Sequence, residues 1–279
     1  MNAAPAPLTW LYAPGDRPDV VLKALGSGAD VVVVDLEDAV APDRKRYALD
    51  ATAELLARPR RGVPVHVRVN ALDGPLAMHE VRRLAALPGL AALRLPKVER
   101  PGHVGRVATW AGADVPPLYP LLESALGVEH AYAIATAHPA VAGIALGEAD
   151  LRADLGVADT AGLAWPRGRT VVAARAAGLP PPPQSVYPDV RDTVGLARSC
   201  AAGRTLGFLG RAAIHPRQLA VIEKAFRPTA AEIEAAAEIV EAATTDAGAL
   251  ALPDGRFVDP AVVAVAHRTL ALARRAPTG

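Results

Sequence analysis

Leu118-Tyr119-Pro120-Leu121-Leu122-Glu123-Ser124 and Ile144-Ala145-Leu146-Gly147-Glu148-Ala149-Asp150 each carry an apolar run into a single acid, and a helically spaced stretch, Gly127–Ala137, lies between them. Short apolar runs bounded by turn residues read as buried strands, and strand, helix, strand is the repeating unit of a parallel sheet. Working outward, the same rhythm recurs. Candidate strands are Thr9–Tyr12, Val31–Asp35, Val65–Val69, Ala92–Leu95, Leu118–Leu122, Val141–Leu146, Pro183–Val186 and Gly210–Ile214. Between and after them lie helix candidates Pro18–Leu25, Asp43–Ala57, Leu76–Leu87, Pro101–Ala111, Gly127–Ala137, Leu163–Ala177, Arg191–Ala202 and Pro216–Lys224. Eight such units predict an α/β chain closed into a (β/α)8, or TIM, barrel instead of an open doubly wound sheet. The seventh strand is the weakest, because Pro180 to Pro183 lead into it and proline donates nothing to a ladder.

After Phe226-Arg227-Pro228 the rhythm changes. Thr229–Ala243 has the pattern of an amphipathic helix with Thr229 placed to cap it, Leu250–Val258 reads as irregular or hairpin-like, and Pro260–Arg275 as a further helix. The expected division is a barrel over 1–226 and an extension over 227–279 that packs on the barrel or on a neighbouring subunit.

The bulk properties exclude several classes. Thirty basic against twenty-nine acidic residues leave a net charge of +1, without the excess that general nucleic-acid binding needs. Hydrophobic residues make up 51% of the chain, yet no run approaches the roughly eighteen apolar residues of a spanning helix. Met1-Asn2-Ala3-Ala4-Pro5-Ala6-Pro7 lacks the basic and apolar regions of a signal peptide, so a cytoplasmic location is expected. Cys200 is the only cysteine, which excludes intrachain disulfides and Cys-rich zinc sites. GxSxG, HExxH, P-loop and GxGxxG motifs are all missing.

In a barrel of this kind the active site forms at the C-terminal strand ends. The polar residues falling there are Asp35-Leu36-Glu37-Asp38, Arg68 and Asn70, Lys97, Glu123, Asp150 and His215. Glu123 and Asp150 follow adjacent strands and have apolar or small neighbours, so together they could hold one hard cation such as Mg2+, which keeps much of its hydration and takes few protein carboxylates. Capping the next helix, or pairing with an arginine, is the competing reading for both acids, and Arg152 is a local partner for Asp150. Arg68, in the alternating run Val65-His66-Val67-Arg68-Val69, suits bidentate recognition of a carboxylate, or pairs with Glu37 or Asp38. His66 reads as structural.

Seven segments in order resemble the citrate lyase β-subunit family of Mg2+-dependent acyl-CoA lyases, within the HpcH/HpaI aldolase superfamily. They are Tyr12-Ala13-Pro14-Gly15-Asp16-Arg17-Pro18, Val34-Asp35-Leu36-Glu37-Asp38-Ala39-Val40, Val67-Arg68-Val69-Asn70, Leu95-Pro96-Lys97, Leu121-Leu122-Glu123-Ser124-Ala125-Leu126-Gly127-Val128, Asp150-Leu151-Arg152-Ala153-Asp154-Leu155-Gly156 and Ile214-His215-Pro216-Arg217-Gln218. The resemblance implies cleavage or formation of a β-hydroxyacyl-CoA, such as a malyl, citramalyl or citryl thioester, from a 2-oxo acid and an acyl-CoA or acyl-carrier. It implies Glu123 and Asp150 as Mg2+ ligands, Arg68 on the substrate carboxylate and developing alkoxide, and Glu37 and Asp38 on metal-bound water. Arg17 and Lys97 become candidates for substrate or CoA phosphates, His215 for a place at the site, and Asp259 for a proton donor reaching a neighbouring subunit in a homotrimer or hexamer. A thioesterase acting on the same substrates, or the β-chain of a citrate lyase complex, are the alternatives. Two departures stand out: Gly147-Glu148-Ala149-Asp150 replaces the family's usual Gly-Ala-Glu-Asp, and Asp259-Pro260 are adjacent where the family spaces them by one residue.

Overall fold

The structure is a computed structural model describing residues 6–59, 61–245, 250–251 and 257–275. These fall into two compact units: Leu8–Ala225, and a second made of residues 6–7 with those from Phe226 onward.

In the larger unit the strands are β1 Thr9–Pro14, β2 Val31–Asp35, β3 Val65–Arg68, β4 Leu90–Leu95, β5 Leu118–Leu122, β6 Ala145–Leu146 and β7 Arg211–Ala213. They form one parallel sheet in the order β6-β5-β4-β3-β2-β1-β7, with helices between consecutive strands. The four-valine run of β2 is buried throughout, as a strand covered on both faces must be. Inward and outward residues alternate. Trp10, Val31 and Val33 cluster on the inner face with Tyr12 against them, while Asp35, Arg68, Arg94 and Tyr119 follow one another in cross-strand register one layer nearer the mouth.

The expected seventh strand is reduced to a single parallel bridge, Gln184 to Arg211. Proline is the reason: Pro182 offers its carbonyl to Leu209 N and Gln184 pairs with Gly210 and Ala212, all on the β7 side, but Pro183 has no N–H for a ladder toward β6. The seam toward β6 is bridged instead by Glu148 N–H donating to Ser185 Oγ at 3.1 Å.

Helix boundaries agree with expectation at Pro18–Leu25 and Pro101–Ala111, both opened by proline at the first turn. One helix was not expected from the sequence. Glu148–Leu155 opens directly after Gly147, with Glu148 and Asp150 in its first turn, where acids favour the helix dipole, and ends at Gly156 in the left-handed region, φ 64°.

In the second unit, Thr229 and Glu232 form a reciprocal capping box, Glu232 N to Thr229 Oγ1 at 3.2 Å and Thr229 N to Glu232 Oε2 at 2.7 Å, which starts helix Ala230–Thr245. That helix packs on Pro260–Ala273, and a two-residue antiparallel pair, Leu250–Ala251 with Phe257–Val258, lies between them in sequence. The rest of the hairpin-like stretch falls outside the described residues.

Candidate active site

Asp35 ends β2 with its side chain 1% exposed and accepts four hydrogen bonds. Arg68 on β3 supplies two as a fork, Nε to Oδ1 at 2.7 Å and Nη2 to Oδ2 at 2.6 Å; the amides of Glu37 and Ala39 supply the others at 2.9 and 3.0 Å. The fork is possible because Asp35 and Arg68 are register partners on the inner face. Burial opposes the charge of Arg68, but the bonds and charge of Asp35 outweigh it and hold the guanidinium firmly protonated. The looser contacts of Arg68 come from Nη1, to Glu37 Oε2 at 3.0 Å and Asp38 Oδ2 at 3.3 Å. Lys45 Nζ clamps the carbonyls of Leu36 and Glu37, and Asn70 Nδ2 also donates to Leu36, so the loop carrying Glu37 is fixed from below.

Across the mouth, Glu123 directly follows β5 and is 7% exposed. Among the described residues it receives a single hydrogen bond, from the amide of Lys97 at 2.8 Å. Lys97 adopts φ 53°, the one positive φ outside glycine among the described residues, a backbone cost that aims its N–H at the carboxylate. Burial first, then the charge of Glu37, raises the Glu123 carboxyl to about 7. Glu37 is raised too by burial, against which Arg68 and Lys97 act. Gly147 makes room: a Cβ there would sit 2.5 Å from both Glu123 Cγ and Oε1.

Asp150 stands in the first turn of helix Glu148–Leu155 and is partly exposed. Neither competing sequence reading holds for it: its ion contact is with Lys97 Nζ at 3.5 Å and not with Arg152. The same ammonium donates to Glu37 Oε1 at 2.5 Å and lies 3.8 Å from Asp38. Glu123 and Asp150 both line two adjoining cavities of about 370 and 390 Å³. The first is floored by Tyr12, Arg68 and Arg94; the second is walled by Lys97, Glu99 and Asp154. A further cavity of about 400 Å³ on the outer side, against Val21, Leu22, Tyr47 and Leu55, has no such convergence of charge.

Acids outnumber bases at this mouth. Asp35, Glu37, Asp38, Glu123 and Asp150 face the ion-pairing cations Arg68 and Lys97, and Glu123, which among the described residues has one amide hydrogen bond and no ion pair, is raised to about 7, chiefly by burial. That excess fits a hard divalent cation held by Glu123 and Asp150. No group of three or more His, Cys, Asp or Glu forms a closed cage among the described residues, and a two-carboxylate set is the arrangement that leaves Mg2+ its waters.

The structure brings together Glu37, Asp38, Arg68, Lys97, Glu123 and Asp150, but not all the expected residues. Arg17 is exposed at the start of helix Pro18–Leu25 and lines neither mouth cavity. His215 caps the turn Pro216–Gln218, its Nδ1 accepting from Arg217 N at 3.1 Å. Asp259 belongs to the second unit, where it caps helix Pro260–Ala273 through Val262 N at 2.8 Å, the adjacent Pro260 taking the first helical position. His66 is buried against Tyr119, ring centroids 4.9 Å apart, and burial and the charge of Arg94 keep it neutral. The displaced Glu148 is neutralised by a fork from Arg167, at 2.7 and 2.6 Å.

Sequence reasoning placed Asp35 at the end of its strand but gave it no role, and it passed over Arg94. Only the strand register makes Asp35 the partner of Arg68. Arg94 alternates inward in Ala92-Leu93-Arg94-Leu95, the only signal it offered.

No helix among the described residues is long and apolar enough to cross a membrane. Residues 8–216 match the model of the HpcH/HpaI aldolase/citrate lyase family. The chain is 37% identical over 272 residues to a (3S)-malyl-CoA thioesterase of Cereibacter sphaeroides, covering 94% of this chain and 93% of that one. It is 31% identical over 296 residues to an L-malyl-CoA/beta-methylmalyl-CoA lyase of Rhodobacter capsulatus, covering 93% of each. Among solved structures it is similar to protein CitE from Mycobacterium tuberculosis in complex with magnesium, acetoacetate and coenzyme A, with a TM-score of 0.82, 32% identity and coverage of 98% of this chain and 99% of that one. The chain belongs to the HpcH/HpaI aldolase/citrate lyase family.

Proposed function

We propose that this protein is a Mg2+-dependent carbon-carbon lyase that splits a β-hydroxyacyl-CoA into a 2-oxo acid and an acyl-CoA, or joins them. The observation that carries the reading is the pairing of Glu123, under-partnered and raised to about 7, with Asp150 on the wall of the cavity that Arg68 also lines. Glu123 and Asp150 would hold Mg2+, which would supply Lewis-acid polarisation of the substrate. Arg68 keeps its fork on Asp35, and Nη1, its loosest donor, turns to the oxygen that becomes the alkoxide. Glu37 and Asp38 orient water at the mouth, and Lys97 holds Glu123 in place through its amide. In the cleavage direction the β-hydroxyl proton passes to the water that Glu37 and Asp38 orient, and the electrons of the broken carbon-carbon bond pass to the acyl-CoA enolate. Asp259, delivered from a neighbouring subunit of a homotrimer or hexamer, gives one proton to the enolate carbon.

Glu123→Ala and Asp150→Ala are each expected to abolish Mg2+-dependent activity when protein and Mg2+ are incubated with a panel of acyl-CoAs and 2-oxo acids and products are read by mass. Full activity in either variant sinks the metal assignment. The trans role of Asp259 is checked by mixing inactive Asp259→Ala with inactive Arg68→Ala subunits; hybrids that recover nothing overturn it.

A second reading is supported by the thioesterase relative. Water reaching the thioester at the same site would release CoA and the intact hydroxy acid, so free CoA without a 2-oxo acid identifies hydrolysis.

A further inference from the structure

Arg94 is 1% exposed, and among the described residues no carboxylate pairs with it. Its Nε and Nη2 have no hydrogen-bond partner, and Nη1 reaches only Tyr12 Oη, at a long 3.4 Å. The faces of the guanidinium are flanked by the Tyr12 and Tyr119 rings, 5.9 and 5.5 Å from its carbon. Three other arginines of this unit with little exposure have their partners. Arg68 and Arg167 each grip a carboxylate with a fork, and Arg211, 2% exposed, donates to Ser185 O and lies 3.4 Å from Cys200 Sγ.

An arginine does not escape burial by losing its proton, and an unpaired buried cation is strongly unfavourable. Arg94 is therefore a cation awaiting an anion, and its position says which. It is the register partner of Arg68 and helps floor the cavity whose wall carries Glu123 and Asp150. Mg2+ held by those carboxylates would engage the carboxylate and oxo group of a 2-oxo acid. A monocarboxylate such as pyruvate or glyoxylate would leave Arg94 uncovered, and the fork of Arg68 is already closed on Asp35.

We propose that Arg94 binds a second carboxylate, so that the 2-oxo acid handled by this site is a dicarboxylate. This rests on the lyase reading and names its substrate class. Long donor geometry in the free protein tightens when a bidentate acceptor arrives, and Tyr12, sharing Nη1, is placed to turn its hydroxyl to the same group.

The test is calorimetric titration of the full chain with freshly prepared oxaloacetate and with pyruvate, with and without Mg2+, in wild type, Arg94→Met and Arg94→Lys. Wild type is expected to bind oxaloacetate about 10- to 100-fold more tightly than pyruvate, the range that charge-assisted hydrogen bonds give. Arg94→Met loses that preference while binding pyruvate unchanged, and its thermal midpoint in the free protein equals or exceeds wild type, because an uncompensated charge has been removed. Arg94→Lys keeps part of the preference, which covers a Met variant that does not fold. Wild-type affinity for oxaloacetate in Arg94→Met, or equal weakening toward both acids with a lowered midpoint, overturns the proposal. Binding of both acids that is indifferent to Mg2+ in wild type overturns the lyase reading beneath it, an outcome distinct from loss of selectivity alone.

Discussion

On the β2–β3 side of the barrel mouth, Asp35 accepts four hydrogen bonds and pairs with Arg68; on the β5–β6 side, Glu123 is almost as buried but has one amide to bond, and burial first, then the charges of Glu37 and Asp150, raises its carboxyl. The same residue class, at equivalent strand ends of one barrel, is stabilising in one place and strained in the other. What differs is partner supply. Asp35 has an arginine as register partner on the next strand, whereas Glu123 faces Gly147, which offers space but no donor side chain. A buried acid with its partners is part of the frame; a buried acid without them is poised for a cation from outside.

The largest effect should come from breaking the satisfied side. Asp35→Ala leaves the Arg68 fork without its acceptor in a buried setting, and loss of one partner of such a pair costs about 3–5 kcal/mol. Urea or thermal unfolding of the free protein should show this directly. A variant unfolding within about 1 kcal/mol of wild type would mean the pair is merely surface-like.

A smaller effect follows from crowding the unsatisfied side. In Gly147→Ala the new Cβ meets Glu123 Cγ and Oε1 at 2.5 Å, well inside contact distance. Overpacking of this kind costs about 1–3 kcal/mol, and Glu123 must swing away from the Lys97 amide to relieve it. Calorimetry should therefore show weakened Mg2+ binding with only a modest fall in unfolding midpoint. Unchanged Mg2+ affinity would show that Glu123 has another position from which to bind the ion.

How much of this was legible in the sequence depends on range. Runs such as Val31–Asp35 and Leu118–Leu122, and prolines at Pro18 and Pro101, act locally, so these strands and helix starts were readable to within a residue or two, whereas the expected strand Val141–Leu146 shrinks to Ala145–Leu146, with Val141 making only an isolated bridge to Leu118. The Asp35–Arg68 fork and the lack, among the described residues, of a carboxylate beside Arg94 arise only when strands are laid in register, and no local pattern distinguishes a gripped arginine from a waiting one. The helix Glu148–Leu155 escaped because its apolar face is too short for periodicity, its Gly147 and Gly156 boundaries being clearer than its interior. The in-barrel bridge at Gln184 was foreshadowed by the prolines before it, which weaken a strand without revealing how little of it survives.

The subtlest test concerns sign. Glu123 titrates near 7 in the folded chain, above an ordinary carboxylate near 4.5, so between those values the folded state holds a proton that the unfolded state has released. Its contribution to stability is fully present below about 4.5 and is lost as pH rises through 7. Glu123→Gln keeps the shape and removes the titration. Without metal, the variant should match wild type at pH 4.5 and exceed it at pH 8, with the gap opening between, whereas the corresponding Asp35→Asn should be less stable than wild type at pH 8. Mg2+ inverts the order: wild-type affinity should climb as pH passes 7 and Glu123 loses its proton, and Glu123→Gln should show neither the affinity nor the climb. A variant less stable than wild type at pH 8 would place Glu123 with Asp35 as part of the frame, and the contrast between the two sides of the mouth would fail.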